Sequence, residues 1–236
     1  MIKALTFDTG GTILDWHTGI SSALASVGLK YNLERDWAAI ANDYRAQSLR
    51  AMVNAGSDSP ADFNIDDVHR DKLTEIVAKY DLAAFTAQDK DDIWQAWHKL
   101  DCWPDFPEAL QQMREHFIVA SFTILSVSLI VDTAKRNGLS WDAVFSCEMM
   151  GRYKTLPVSY EQVAKWLVLD PSEIMMVACH NIDLNAARAV GYKSAFVRRP
   201  DEWGTAGPPD PNPDAHHDII AEDFPDLVKQ LESFKG

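Results

Sequence analysis

One aspartate of this sequence stands where a strand-forming segment meets two glycines. Residues 2–7 are apolar or β-forming, and Asp8 is followed closely by Gly10, Gly11 and Thr12. Glycine N–H groups can approach an anion, and a threonine hydroxyl can donate a hydrogen bond to that anion or to the aspartate. A carboxylate in this setting can attack an electrophilic carbon or phosphorus as a nucleophile. On this segment alone, a turn or helix-capping aspartate is the alternative.

The elements that must position such a nucleophile alternate along the chain. Short apolar runs predict strands, and amphipathic patterns between them predict helices. The predicted strands are residues 2–7, 117–122, 143–146, 174–179, 194–197 and 217–221, and the helices are 107–115, 129–136, 160–167 and 184–190, with one more after 221. This alternation predicts an α/β fold with a doubly wound, mostly parallel sheet. Ligands of such sheets bind beyond the carboxyl ends of the strands, which is where Asp8 stands.

A helical segment interrupts the alternation. Between residues 17 and 100 the strand patterns vanish, and apolar residues recur at helical spacing instead. We therefore predict an α/β core formed by residues 1–16 and 101–236, with a helical cap, residues 17–100, inserted into it. The run from Gly56 to Pro60 predicts a break in the middle of the cap.

The bulk composition excludes several classes of protein and partner. A formal net charge of −13 disfavours nucleic-acid binding, which needs clustered lysine and arginine to release counterions. No apolar run approaches the roughly 20 residues of a membrane-spanning helix, and the N-terminal residues do not resemble a secretory signal. Cys102, Cys147 and Cys179 are too few and too widely spaced for a disulfide framework or a zinc site. These features predict a cytoplasmic protein whose partner is a small-molecule substrate.

The segment from Phe7 to Leu14 resembles the first signature of the haloacid dehalogenase superfamily, a nucleophilic aspartate followed at a fixed spacing by Gly-Thr-Leu. Later signatures follow in the same order, so that the resemblance covers the whole chain. It points to the type II 2-haloacid dehalogenases, which carry a helical cap after the first strand. The resemblance implies that Asp8 is the nucleophile and that Thr12 assists it. Thr9 and Gly10 would then belong to the loop that holds the substrate.

The second signature and the cap supply further candidate contacts to the substrate. Thr123 resembles the serine or threonine that helps to hold the substrate carboxylate in the dehalogenases. The next residue, Ile124, departs from the family, which usually has an asparagine beside the departing halide. The segment from Asn42 to Leu49 resembles the cap helix that presents an arginine to the halide. Arg45 is the match, and Arg50 or a solvated surface arginine is the alternative.

The third and fourth signatures supply the candidates for charge balance and for hydrolysis. Lys154 would keep the nucleophile ionised, and Tyr160 would orient the lysine or the substrate. Asp183 resembles the carboxylate that orients this lysine and the hydrolytic water, although a helix N-terminal anion is the alternative. His180 stands where many type II dehalogenases have asparagine, and it would either position the water or cap the next helix. The adjacent Asn181 is a candidate substrate contact.

The residue two positions after the nucleophile bears on the reaction. Phosphatases of the superfamily have a second aspartate there, which protonates the leaving alcohol, whereas this chain has Gly10. A halide is a stable anion and leaves without a general acid. We therefore expect hydrolytic dehalogenation of short 2-haloalkanoic acids through an ester on Asp8, with neither an organic cofactor nor a metal.

Two other functions stay open at this point. The first is a magnesium-dependent phosphatase or phosphonatase-like hydrolase, in which Mg²⁺ would lie at Asp8, Gly10 and Asp183. The second is a family member without dehalogenase activity, which the replacement at Ile124 suggests. Relatives of this kind often dimerise, so a homodimer is a further expectation.

Overall fold

The strand that precedes Asp8 lies at the centre of a parallel sheet. The computed structural model describes residues 1–55 and 63–234. The strands in this part are β1 (Ala4–Phe7), β2 (Ile118–Thr123), β3 (Ala143–Ser146), β4 (Ile174–Ala178), β5 (Lys193–Val197) and β6 (Ile219–Ala221). They pair in the order β3-β2-β1-β4-β5-β6, and every pair is parallel. The predicted α/β fold with a doubly wound sheet is confirmed.

Helices connect the strands and form the segment inserted after β1. The helices of the described residues are α1 (Trp16–Lys30), α2 (Trp37–Ala55), α3 (Ile65–Lys79), α4 (Ala87–Gln95), α5 (Phe106–Arg114), α6 (Val127–Asn137), α7 (Pro157–Leu167), α8 (Asn181–Val190) and α9 (Phe224–Ser233). Helices α1 to α4 all fall between β1 and β2, where the helical insertion was predicted. None of the described helices is both long enough and apolar enough to cross a membrane. The predicted break from Gly56 to Pro60 lies outside the described residues.

Several elements begin at other residues than the apolar pattern predicts. Helix α7 begins at Pro157, which suits the first helical position since its missing N–H needs no partner there. Helix α8 begins at Asn181, three residues before the predicted start at Leu184. The last strand is shorter than predicted and begins at Ile219, because the preceding His217 lies in a turn and hydrogen-bonds side chains of neighbouring segments.

The order of the strands creates a crevice at the end of β1. Ala4 of β1 pairs with Ile118 of β2 on one side and with Ile174 of β4 on the other. The chain therefore leaves β1 toward one half of the sheet and later returns to the other half. A sheet of this kind binds its ligands in the crevice beyond the carboxyl ends at this point. Asp8 directly follows β1, and its N–H donates to the Val177 carbonyl of β4 at 2.9 Å.

The two connections between the sheet and the inserted helices run side by side. Leu14 forms an antiparallel bridge with Cys102, and Asp15 N–H donates to the Asp101 carbonyl at 3.0 Å. The Asp15 side chain also caps α1, because it accepts a hydrogen bond from Thr18 N–H. This crossing lies at the predicted boundary, and the division into a core and a cap stays a prediction.

Candidate active site

A buried lysine joins the carboxylates that follow β1 and β4. Lys154 Nζ lies 2.7 Å from Asp183 Oδ2 and 3.2 Å from Asp8 Oδ1. The exposed fractions are 7% for Asp8, 9% for Lys154 and 5% for Asp183. Charges so deeply buried are tolerated only when they are paired. The structure thus brings together three residues that are far apart in the chain, as the sequence analysis expected.

The second oxygen of Asp8 has its own hydrogen-bond donors. Thr12 Oγ1 donates to Asp8 Oδ2 at 2.8 Å, and His180 Nδ1 lies 3.3 Å from the same oxygen. The Thr12 oxygen in turn accepts from Cys179 N–H, which ties the loop after β1 to the end of β4. Burial alone would raise the pKa of Asp8, but the charge of Lys154 and the bond from His180 hold it well below its usual value. Asp8 is therefore an ionised, directed carboxylate.

Tyr160 reaches the lysine through Asp183 rather than directly. Its hydroxyl donates to Asp183 Oδ1 at 2.6 Å, so both oxygens of this carboxylate have partners. Burial raises the pKa of Asp183, and the charge of Asp8 adds to that rise against the opposing effect of Lys154. Asp183 also lies in the first turn of α8, where a carboxylate is favoured. Asp183 is therefore both a partner of Lys154 and an anion at the N-terminus of α8.

Thr123 lies at the end of β2 with its proton free to donate. The Thr123 oxygen accepts from Thr9 Oγ1 at 2.7 Å and from Leu125 N–H at 3.0 Å. Both lone pairs of the hydroxyl are thereby used, and the hydroxyl proton is left for another acceptor. The Thr9 side chain thus fixes Thr123 instead of facing a substrate. Ile124 is half-buried and packs against the hydrophobic core, so this position offers no polar group.

Arg45 of α2 faces the loop that follows Asp8. Its side chain is buried, it lies over the rings of Trp16 and Trp97, and Nη2 is 3.4 Å from the Gly10 carbonyl oxygen. Its Nε and Nη1 atoms are buried without a hydrogen-bond partner among the described residues. Arg50, the alternative, is exposed. The guanidinium is therefore a buried cation with donors to spare next to Asp8.

Asn181 is a predicted substrate contact, but its side-chain amide binds other residues of the protein. Its Nδ2 donates to Asp210 and to the Asn212 carbonyl, while its Oδ1 accepts from Asp214 N–H and contacts His217 Nε2. Each polar atom of the side chain is thus used to hold the segment that follows β5. Asn181 fastens a loop, and the expectation that it contacts the substrate is corrected.

Sequence reasoning missed Glu202, a buried carboxylate in the segment after β5. Its oxygens lie 3.1 and 3.2 Å from His180 Nε2, and Trp16 Nε1 donates to Oε1 at 3.1 Å. No signature pointed to this residue. The available signal was its place, since it follows a strand whose carboxyl end belongs to the same edge of the sheet as Asp8.

Two sets of residues are candidates for holding a metal. Between Asp8 and Asp183 the ammonium of Lys154 already bridges the carboxylates, so this set does not fit Mg²⁺, which demands oxygen ligands at close range. The other set is Cys179, His180 and Glu202, whose ligand atoms lie within 4.8 Å of one another. Hydrogen bonds link each of these three to another member, which accounts for their spacing without an ion.

Comparison with known proteins agrees with this geometry. A family model described as haloacid dehalogenase-like hydrolase matches residues 2–191. The chain belongs to this family of hydrolases. It is 34% identical to the defluorinating L-2-haloacid dehalogenase Rha0230, covering 98% of this chain and 95% of that one with a TM-score of 0.91. The L-2-haloacid dehalogenase PA0810 is 29% identical, covering 99% and 100% of the two chains, also with a TM-score of 0.91. The (S)-2-haloacid dehalogenase of Xanthobacter autotrophicus is 25% identical, covering 84% of this chain and 76% of the relative.

Replacing the buried lysine tests the ion-pair arrangement of this hydrolase. In Lys154→Met, two buried carboxylates lose their shared cation, so we expect the free energy of unfolding at pH 7 to fall by about 3–5 kcal/mol. One carboxyl of the variant then has a raised pKa in the folded state. Stability from such a group is present at low pH and lost as pH rises, so the deficit should be smaller at pH 5 than at pH 7.

Urea unfolding at both pH values measures this deficit. The matched control is Lys165→Met on the exposed face of α7, which should change the unfolding free energy by less than about 0.5 kcal/mol. Equal effects of the two substitutions, or a deficit at Lys154 that does not depend on pH, would contradict the arrangement.

Proposed function

We propose that this hydrolase removes the halogen of short 2-haloalkanoic acids through an ester on Asp8. The observation that carries the proposal is the buried guanidinium of Arg45 beside Gly10, with two donors unpartnered in the described part of the chain. A halide leaving a carbon next to Asp8 needs an anion site of this kind. The relatives named above are called 2-haloacid dehalogenases, which supports the same reaction.

In the first step, Asp8 displaces the halide from C2 of the substrate by in-line attack. The carboxylate suits this role because it is ionised and directed by Lys154 and Thr12. The free proton of Thr123, together with N–H groups of the loop after β1, would hold the substrate carboxylate. Arg45 would receive the halide, since a buried cation stabilises the charge that develops on the leaving group.

In the second step, water attacks the ester carbonyl and regenerates Asp8. Lys154 stays in place when Asp8 is esterified, because it is also paired with Asp183. Tyr160 in turn holds Asp183 without any contact to Asp8. His180 lies against the same carboxyl group and can contact the attacking water. The bond between the carbonyl carbon and the substrate oxygen breaks, so a 2-hydroxy acid leaves and Asp8 is a carboxylate again.

The geometry at Gly10 opposes the phosphatase alternative. A Cβ atom added at Gly10 would lie 2.8 Å from Arg45 Nη2, so an aspartate side chain there would displace the guanidinium. The place where a phosphatase of this superfamily has its general acid is thus beside a cation. Lys154 also pairs with both carboxylates, so Mg²⁺ would have to compete with its ammonium group for their oxygens.

Halide and phosphate release distinguish the candidate functions. We expect the purified protein to release halide from chloroacetate, 2-chloropropionate or fluoroacetate at a rate that EDTA does not change, and to leave p-nitrophenyl phosphate intact with or without magnesium. Asp8→Asn should abolish halide release, because an amide is not a nucleophile at this centre. The matched control is Asp71→Asn on the exposed face of α3, which should keep full activity.

Magnesium-dependent phosphate release would replace the proposal with the phosphatase alternative. Silence on every substrate would favour a family member without dehalogenase activity.

A second experiment tests the leaving-group site. Arg45→Met keeps the length of the side chain and removes the donors, so we expect kcat for halide release to fall about 10²–10³-fold. Arg50→Met, five residues on and exposed, should leave kcat unchanged. Similar rates for the two variants would show that Arg45 does not serve the leaving halide.

A further inference from the structure

We propose that Arg199 and Trp103 are positioning residues that fix the loop after β1, residues 9–14, from its outer side. They hold the loop backbone so that the Thr12 hydroxyl directs Asp8 toward the substrate carbon. The inference rests on the proposed function. It concerns the first step of that reaction, in which the halide leaves.

Two carbonyl groups of the loop accept hydrogen bonds from within the loop. The Thr9 carbonyl accepts from Ile13 N–H at 3.1 Å and from Leu14 N–H at 2.9 Å. The Leu14 carbonyl accepts from Gly11 N–H at 3.1 Å. The carbonyl groups of residues 11, 12 and 13 have no such partner inside the described loop. Because a buried carbonyl without a hydrogen bond is unfavourable, these three groups need donors from other segments.

Arg199 and Trp103 supply the donors for these three consecutive carbonyl groups. Trp103 Nε1 donates to the Gly11 carbonyl at 2.8 Å, and the Trp103 N–H donates to the Ile13 carbonyl at 2.8 Å. Arg199 Nε donates to the Thr12 carbonyl at 3.0 Å. The loop therefore cannot shift or rotate without breaking at least one of these bonds.

Arg199 is itself held in one geometry. Its Nη1 and Nη2 donate to the two oxygens of Asp105, each at 2.9 Å, which is the bidentate arrangement of arginine and carboxylate. The guanidinium also lies 5.5 Å from the centre of the Trp103 ring and 4.8 Å from that of Phe224. Asp105 in turn accepts from Phe224 N–H at 3.1 Å. Because Asp105 balances its charge, Arg199 acts on the site by fixing geometry.

Thr12 transmits this constraint to the nucleophile. Its carbonyl accepts from Arg199, while its hydroxyl donates to Asp8 Oδ2 at 2.8 Å and accepts from Cys179 N–H at 3.0 Å. The residue is fully buried, so water cannot replace these bonds. In-line attack needs the carboxylate in one orientation, and a misplacement of about 1 Å can slow a reaction about 100-fold. A displaced Thr12 would thus release Asp8 from its attacking position.

The experiment measures halide release in a single turnover, with enzyme in excess over chloroacetate. The limiting rate reports the first step, and it does not depend on how much of a variant folds while folded protein stays in excess. In Arg199→Met we expect this rate to fall about 10- to 100-fold. The concentration of folded enzyme at half-saturation should stay unchanged, because Thr123 and Arg45 hold the substrate from other elements.

Two comparisons separate positioning from a general loss of structure. Arg199→Lys keeps the positive charge, but one ammonium group cannot serve Thr12 and both oxygens of Asp105, so we expect a similar loss of rate. Arg198→Met removes the neighbouring arginine, which pairs with the exposed Glu222, and should behave as wild type.

A double substitution tests the route through the hydroxyl group. In a Thr12→Val background, Arg199→Met should have no further effect on the limiting rate, because Arg199 acts through the Thr12 hydroxyl. An arginine that only stabilised the fold would lower the rate equally in both backgrounds.

Each outcome has one meaning. Equal limiting rates in Arg199→Met and wild type, or an equal proportional loss in the Thr12→Val background, would overturn the inference. If Arg199→Met does not fold, Trp103→Phe removes the indole donor to the Gly11 carbonyl and should slow halide release about 2- to 10-fold. An unchanged rate in that variant would overturn the inference too. Absence of halide release from wild type would instead remove the proposed function itself.

Discussion

The site is organised around one buried ammonium group between two carboxylates. Removing Lys154 from water is unfavourable unless carboxylates neutralise it, and Asp8 and Asp183 in turn both share its charge inside the protein. The strand order supplies the geometry, since β1 and β4 are neighbours and deliver the two acids side by side. Lys154 comes from the connection between β3 and β4 and completes the arrangement.

A second set of charges surrounds the first and gives the two faces of Asp8 different surroundings. One oxygen faces Lys154, whereas the other faces Thr12 and His180. Arg45 lies beside Gly10 as a cation that has no carboxylate partner among the described residues. The proposed reaction uses this asymmetry. Negative charge lies first on Asp8, then on the departing halide, and again on Asp8 once water has hydrolysed the ester. Different groups around the one carboxyl serve these three stages.

Sequence patterns predicted the sheet, its parallel order and the placement of α1 to α4, because the spacing of apolar residues is visible in the sequence without knowledge of tertiary contacts. The signatures also brought Asp8, Lys154 and Asp183 to one place. They did not reveal Glu202, because a single glutamate after a strand has no local pattern and only the folded chain shows its partner. Asn181 was misjudged for the related reason that its neighbours lie about 30 residues later, in a loop without periodicity. The homodimer and the cytoplasmic location stay predictions.

The central claim is that the Asp8 carboxylate, paired with Lys154, attacks the substrate carbon itself. A single turnover in H₂¹⁸O, with enzyme in excess over 2-chloropropionate, tests it most directly, because the water oxygen must then end in the protein. We predict ¹⁸O in the peptide that contains Asp8 and ordinary oxygen in the hydroxyl group of the product. Product that carries ¹⁸O from the first turnover, with an unlabelled Asp8 peptide, would contradict the account.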